Sequence, residues 1–293
     1  YHGAWLEYET DANDVFYVRI DKNRKLPITW FIKAMGAYDE NRPSTWLSCV
    51  KDPFVGVTTN ERIKEVFGED ERIISTLDKD TCDTRDECLL EIYRKLRPGD
   101  PPTVESAETL LDGLFFDRRR YEISDVGRYK FNKKLSLFPR IAGFELAAPV
   151  ADPFTGEILA DAGDIISRDK AREISDAGVI DVLLNVDGKT VRVFSNGMVD
   201  MKDFVDFDPE EAGISEKVRF TVLRELMDQR DAEGMDEENF KDLIRARATD
   251  LVPNHIIVDD IMASINYLNC LAFGVGSADD IDHLGNRRLR CVG

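Results

Sequence analysis

The stretch Gly3-Ala-Trp-Leu-Glu-Tyr-Glu-Thr-Asp-Ala-Asn-Asp-Val-Phe-Tyr-Val-Arg-Ile-Asp-Lys-Asn-Arg-Lys-Leu-Pro27 decides the fold class. Over residues 5–21, Phe16, Val18 and Ile20 alternate with Val15, Tyr17 and Arg19, the period of two of a half-buried strand. Asp11–Asp14 supplies the turn, so the segment predicts a β-hairpin that Lys25-Leu26-Pro27 closes. An apolar segment, Ile28–Met35, follows it.

Working outward, the periodicity changes to that of helices. Leu89, Ile92, Tyr93 and Leu96 share one face of a helix over 87–96, which Arg97–Pro102 stops because consecutive prolines cannot continue the hydrogen-bond ladder. Thr103 is the expected N-cap of the next helix, with Glu105 and Glu108 in its first turns and Val104, Ala107, Leu111 and Leu114 as its buried stripe. Between these landmarks, Gly36, Pro43 and the charged run Glu61–Asp80 predict loops, with one short helix near Ile63–Phe67. Ile261, Ile265, Leu268 and Phe273 predict a final helix.

The middle of the chain has another organisation. Pro153–Gly156 is an expected turn, and Glu157–Ile166 reads as two short strands around Asp161–Gly163. Ser167 caps an expected helix over 168–177 with Gly178 beyond it. Val179–Val186 and Lys189–Phe194 flank Asp187-Gly188, a strong hairpin signal. After an acidic loop over Asp203–Glu211, Val218, Val222, Leu226 and Met227 predict one helix and Phe240, Leu243 and Ile244 another. The class is therefore α+β, a mixed helical and antiparallel-strand domain over 1–142 and 251–293 interrupted by a small α+β module over 143–250.

Charge follows the same partition. The 293 residues carry a formal charge of −18, which by itself argues against a nucleic-acid binder, because duplex affinity comes mainly from Lys and Arg on phosphates. Yet Gly143–Asp250 holds 26 acidic and 13 basic residues, while the other 185 residues hold 31 and 26. In that near-balanced body the cations gather at Arg19–Lys25, Asp117–Tyr121, Gly127–Lys134 and Gly285–Arg290.

Several classes of chemistry find no footing. No Walker loop, GxGxxG, GxSxG, HExxH or CxxC is present. Five cysteines and three histidines assemble no zinc spacing, and the thiols read as those of a reduced cytosolic protein. Asp280 and Asp282 could bind a metal, but in a chain this acidic such a pair is ordinarily a solvated loop. No apolar run approaches the ~20 residues of a membrane span, so a soluble protein is expected, and both chain ends read as cut.

Three features stand above that background. Trp5 is either core filler or an indole placed to stack on an unpaired base. The cations around Asp21 are either a solvated strand end or phosphate contacts. Asp279–Arg290, an acidic lead-in, a Gly turn and three arginines, suits a loop that touches base edges and phosphates, and equally an ion-pair network.

Four stretches carry a resemblance: Gly3–Pro27, Leu89–Leu111 (with Arg97–Thr103, RPGDPPT), Phe115–Leu135 and Asp279–Gly293 (with DIDHLGNRR). In this order they resemble parts of the bacterial RNA polymerase beta subunit family, of Firmicute type, over about residues 3–38, 86–150 and 252–293. The resemblance implies a piece of a longer chain covering most of the lobe, a wall of the DNA cleft, N-terminally truncated. It implies a pocket for unpaired non-template bases: Trp5 stacks on one base, Asp282 reads a flipped guanine, and Asp21, Ile281 and Arg287 are neighbours. Tyr1-His2 departs from the family's Arg before Gly3. It further implies downstream DNA, the beta prime, alpha and sigma subunits as partners, no membrane, and a cytoplasmic, nucleoid-associated location. No cofactor is expected in this piece, since the family's magnesium is held by beta prime, and no catalytic centre, only membership of a nucleotidyltransferase. The competing expectation is an acidic module that docks a transcription factor or another polymerase subunit; a stand-alone enzyme ranks third.

Overall fold

The computed structural model describes residues 4–21, 25–36, 56–68, 70–117, 119 and 123–277, and the backbone of 286–289. In chain order the elements are β1 (Leu6–Thr10), β2 (Phe16–Ile20), β3 (Leu26–Pro27), α1 (Ile28–Gly36), α2 (Asn60–Phe67), α3 (Glu71–Leu77), α4 (Arg85–Leu96), α5 (Val104–Phe115), α6 (Asp125–Leu135) and α7 (Phe138–Ile141). Then come β4 (Glu145–Leu146), β5 (Val150–Ala151), β6 (Ile158–Ala160), α8 (Arg168–Asp176), β7 (Asp181–Val186), β8 (Lys189–Phe194), β9 (Met198–Val199) and β10 (Val218–Arg219). The chain closes with α9 (Phe220–Glu233), α10 (Glu237–Ala246), α11 (Ala248–Leu251), α12 (Val258–Leu271) and β11 (Asn286–Leu289). Small antiparallel sheets and many helices make an α+β protein, as expected. Two compact units divide it: one of residues 1–42, 53–127 and 255–293, the other of 43–52 and 128–254.

The first unit is built on the predicted hairpin. β1 and β2 pair antiparallel from Leu6↔Ile20 to Thr10↔Phe16, burying Leu6, Tyr8, Phe16, Val18 and Ile20 on one face. The Asp11 carboxylate accepts from the N–H of Asn13 at 2.9 Å and of Val15 at 3.0 Å, and Asp14 takes a left-handed φ of 57°, so the turn is closed by its own aspartates. Leu26–Pro27 does more than end the hairpin: it pairs as β3 along β2, giving the order β11-β1-β2-β3. Pro27 lies on the edge of that sheet, where its missing N–H leaves no ladder bond broken.

Two helices form the centre of this unit. Every residue of α1 and every residue of α12 is buried, including Lys33 and Asp260. A charge in such a place needs a partner, and Lys33 has one. Its Nζ lies 2.9 Å from Asp80 Oδ2 and 2.5 Å from the Cys82 carbonyl, while Trp30 Nε1 donates to Asp80 Oδ1 at 2.7 Å. The final helix ends at Leu271, so Phe273 lies past it in a turn rather than in its stripe.

The short helix expected near Ile63–Phe67 is α2, whereas the loop expected after it is instead a second helix, α3. Thr59 caps α2 and Asp70 caps α3, and α3 buries Ile73, Thr76 and Leu77. Its charge misled because Arg72 is buried too, held by Asp70 and donating to the Asn269 carbonyl at 2.7 Å, at the C-terminal end of α12. α4 and α5 stand as expected, with Thr84 and Thr103 as N-caps. In α5 the fully buried positions are Ala107, Leu111 and Phe115; Val104 and Leu114 are only half-buried. Phe115 takes the inner place by packing edge-on to Phe31, 5.9 Å between ring centroids.

In the second unit, Val186↔Lys189 closes the β7–β8 hairpin around Asp187 and Gly188, whose φ of 51° and 78° are those of a primed two-residue turn. β4 joins β7 to complete a three-stranded sheet. Of the two strands expected in Glu157–Ile166, the first is β6; the second shrinks to one bridge, Ile165↔Glu145. Ser167 caps α8 through the Lys170 N–H. Val218, expected in a helix, pairs with Val199 in β10, and α9 starts at Phe220. Phe220, Val222, Leu226, Phe240 and Ile244 make the core of this region.

Candidate nucleic-acid interface

Trp5 precedes β1 and Asp21 follows β2, so the pairing that ends at Leu6↔Ile20 brings them side by side. The Trp5 N–H donates to Asp21 Oδ1 at 2.7 Å, and the Asp21 N–H donates back to the Trp5 carbonyl at 2.8 Å. Asp21 makes this contact from a left-handed backbone, φ 53°, a conformation that Asp and Asn tolerate better than other residues. Ala4, fully buried, donates to the Leu114 carbonyl at 3.4 Å. The backbone on both sides of Trp5 is thus fixed while its indole is only half-buried.

Asp21 also borders a cleft of about 880 Å³ between the hairpin end and the α4–α5 turn. Tyr93, Leu110 and Leu114 give it apolar walls; Arg97, Asp100 and Glu105 give it polar ones. Leu114 was expected in the core, and its place here explains why it is half-buried. Three carboxylates against one guanidinium repel phosphates, whereas carboxylates accept hydrogen bonds from base amino groups. The α4–α5 turn contributes Arg97, Asp100 and Glu105, which the sequence reading took only as a helix stop and a first turn. The missed signal was a charged, proline-held turn, rigid enough to carry a binding wall.

The cations around Asp21 divide. Arg19 reaches both Glu9 carboxylate oxygens at 3.2 Å, and Lys25 lies 3.6 Å from Glu9 and 4.2 Å from the centroid of the Tyr17 ring. Both are engaged by Glu9 within the hairpin while staying partly open to solvent. Burial, then the Asp11 carboxylate, pushes the Tyr17 phenol up from its ordinary value, so that ring stays neutral. Lys22 and Arg24 lie outside the described residues.

Of the five expected pocket residues, Trp5 and Asp21 are brought together directly. The backbone of Arg287 lies in β11 opposite Tyr8 of β1, three residues along the strand from Trp5. Ile281 and Asp282 lie outside the described residues, as does Asp280 of the metal expectation. Among the described residues, no three His, Cys, Asp or Glu side chains come together as a metal site. Burial raises the pKa of Cys82, and that of Cys88 further, above that of a free thiol, which lowers the thiolate share of both.

The family model for RNA polymerase Rpb2, domain 2, matches residues 1–143 and 212–290, and the chain belongs to that family. The DNA-directed RNA polymerase subunit beta of Acetivibrio thermocellus is 52% identical over 291 residues, covering 99% of this chain. The same subunit of Clostridium botulinum strain Hall is 48% identical, and that of Clostridium novyi strain NT 46%, over the same length. The chain spans 22% of the length of these relatives. No described helix is long and apolar enough to cross a membrane.

Proposed function

We propose that this chain is the lobe of an RNA polymerase beta subunit, a wall of the DNA cleft that contacts downstream and non-template DNA during DNA-templated RNA synthesis. The observation that carries this reading is Trp5: a half-buried indole whose backbone is clamped by Asp21, in a chain of the Rpb2 domain 2 family. A fixed, partly open aromatic ring is what stacking on a splayed base requires, and a carboxylate-walled cleft beside it suits base amino groups over phosphates. In this reading Asp282 reads guanine, with Ile281 and Arg287 beside it, and flipping is cheap because the duplex is already open there. Phosphoryl transfer on magnesium takes place at beta prime, and this piece positions DNA in an assembly that includes alpha and sigma.

The test is made in the assembled polymerase. Trp5→Ala and Asp282→Ala each change open-complex lifetime or guanine-dependent pausing at the downstream edge of the bubble. Wild-type behaviour of both variants sinks the base-pocket reading.

A second role attaches to the acidic segment 143–250, most of which lies outside the stretches that the family model matches. The family model passes over residues 144–211, which supports a lineage-specific surface there for a basic protein partner. Deleting 150–250 then abolishes capture of that partner while DNA contact persists.

A further inference from the structure

We propose that the outward face of α6 is a contact surface for single-stranded nucleic acid, with Tyr129 as a stacking platform and Lys130 and Lys133 as phosphate contacts. The inference rests on the reading of the chain as a DNA-facing lobe, and adds a second contact to it. Three observations carry it.

The first is the orientation of the helix. Arg128, 1% exposed, donates from Nε to the Pro253 carbonyl at 3.2 Å; Asn132 Oδ1 accepts from Asn196 Nδ2 at 3.1 Å; and Leu135 is buried. With 3.6 residues per turn, holding 128, 132 and 135 inward turns 129, 130 and 133 outward. All three are exposed, Tyr129 to 63%.

The second is charge. The chain carries −18 overall, and Arg72, Arg192, Arg224, Arg247 and Lys241 are all engaged by neighbouring carboxylates. Lys130 and Lys133 have no ion pair among the described residues. Lys133 in the last turn complements the helix dipole, as does Asp125 in the first. That accounts for neither Lys130 nor the exposed ring.

The third is the combination. Unneutralised ammonium groups select an anion, and an exposed aromatic face one helical turn from Lys133 selects a flat partner. Duplex DNA offers phosphates but keeps its bases stacked; an acidic peptide offers carboxylates, and a ring only where an aromatic residue happens to stand beside them. A strand with unpaired bases presents both at every nucleotide.

The test uses polymerase assembled with full-length beta subunit on a template with a pre-melted bubble, each strand end-labelled. A photoreactive benzoylphenylalanine at position 129 is expected to cross-link to the unpaired part of one strand, and Lys130→Glu with Lys133→Glu to remove that product. Lys130→Ala with Lys133→Ala should reduce the slope of log complex lifetime against log salt by about 1.4, at ~0.7 per single-strand phosphate contact. Tyr129→Phe should keep the wild-type lifetime and Tyr129→Ala shorten it. Cross-linking only to a protein subunit, or only to the duplex arms, overturns the proposal, as does an unchanged salt slope. The same probe at Trp5 separates the two readings: a strand cross-link from 5 but not from 129 rejects the α6 surface alone, and silence at both rejects the DNA-facing lobe as well.

Discussion

Trp5 and Asp21 hold each other by two hydrogen bonds across the open end of a hairpin, Trp5 N–H to Asp21 Oδ1 at 2.7 Å and Asp21 N–H to the Trp5 carbonyl at 2.8 Å. The carboxylate of Asp21 therefore fixes the backbone that carries the indole, besides lining the cleft. Asp21→Ala removes the acceptor for a partly buried N–H and should cost about 1–3 kcal/mol locally. Asp21→Asn keeps an acceptor and tolerates the φ of 53°, so it should restore most of the loss. Open-complex lifetime in the assembled polymerase checks this: Asp21→Ala should resemble Trp5→Ala, and Asp21→Asn the wild type. Equal defects in both Asp21 variants would show that the charge acts directly.

The Lys33–Asp80 pair makes a stability prediction. Their side chains are 0% and 2% exposed, and Asp80 also accepts from Trp30 and from the Cys82 N–H. Removing one member strands the other as a buried charge, so Asp80→Leu should destabilise the first unit by about 3–5 kcal/mol. Lys33→Met with Asp80→Leu should recover much of that, because neither charge then remains buried. Denaturant unfolding of the wild type and the two variants compares them; a double variant no better than Asp80→Leu alone would contradict the account.

Glu87 ties acid stability to one helix terminus. Its Oε2 accepts from the N–H of Thr84 at 3.1 Å and of Asp83 at 2.9 Å, while Thr84 caps the Glu87 N–H in return. Those amides, Thr84 first, hold the carboxyl below its ordinary value of 4.5. The folded pKa is depressed, so the stabilisation is complete above the unfolded value and fades as pH falls through the folded one. Hydrogen exchange at the Asp83 and Thr84 amides, corrected for intrinsic rates, should stay protected down to pH ~4.5 and lose protection below it. Glu87→Gln should flatten that dependence.

What could be read in the sequence was whatever depends on local period and caps. The alternation of Phe16, Val18 and Ile20, the Thr103 cap and the Asp187-Gly188 turn each declare themselves within a few residues. α3 could not be read that way. Its Arg72 is apolar-compatible only because the carbonyl of Asn269, far along the chain, receives it. Leu114 fits the stripe of α5 as well as Phe115 does, and only the ring of Phe31 decides which goes inward. At the site, residue chemistry singles out Trp5 and the cations around Asp21, and the family resemblance gives Asp21 its place in a pocket, but nothing in their spacing announces that the carboxylate grips the backbone of the indole. The role of Glu9 in engaging Arg19 and Lys25 is likewise a cross-strand fact, invisible until the register is known.

Gly178 gives a last prediction, one that local sequence signals only half explain. As the residue after α8 it has a φ of +88°, which favours glycine at a helix end. Tertiary structure adds a second constraint: a methyl group there would lie 2.6 Å from the Phe220 ring, which is 1% exposed. Left-handed strain and overpacking act together, so Gly178→Ala should cost about 2–4 kcal/mol in the second unit. The two terms separate in a double-mutant cycle. Phe220→Leu shortens the side chain that blocks the methyl, so Gly178→Ala should cost less in that background, leaving the backbone term of about 1–2 kcal/mol. Urea denaturation of the four proteins supplies the coupling energy. A value near zero would mean that the ring moves aside freely and that only the φ of residue 178 requires glycine.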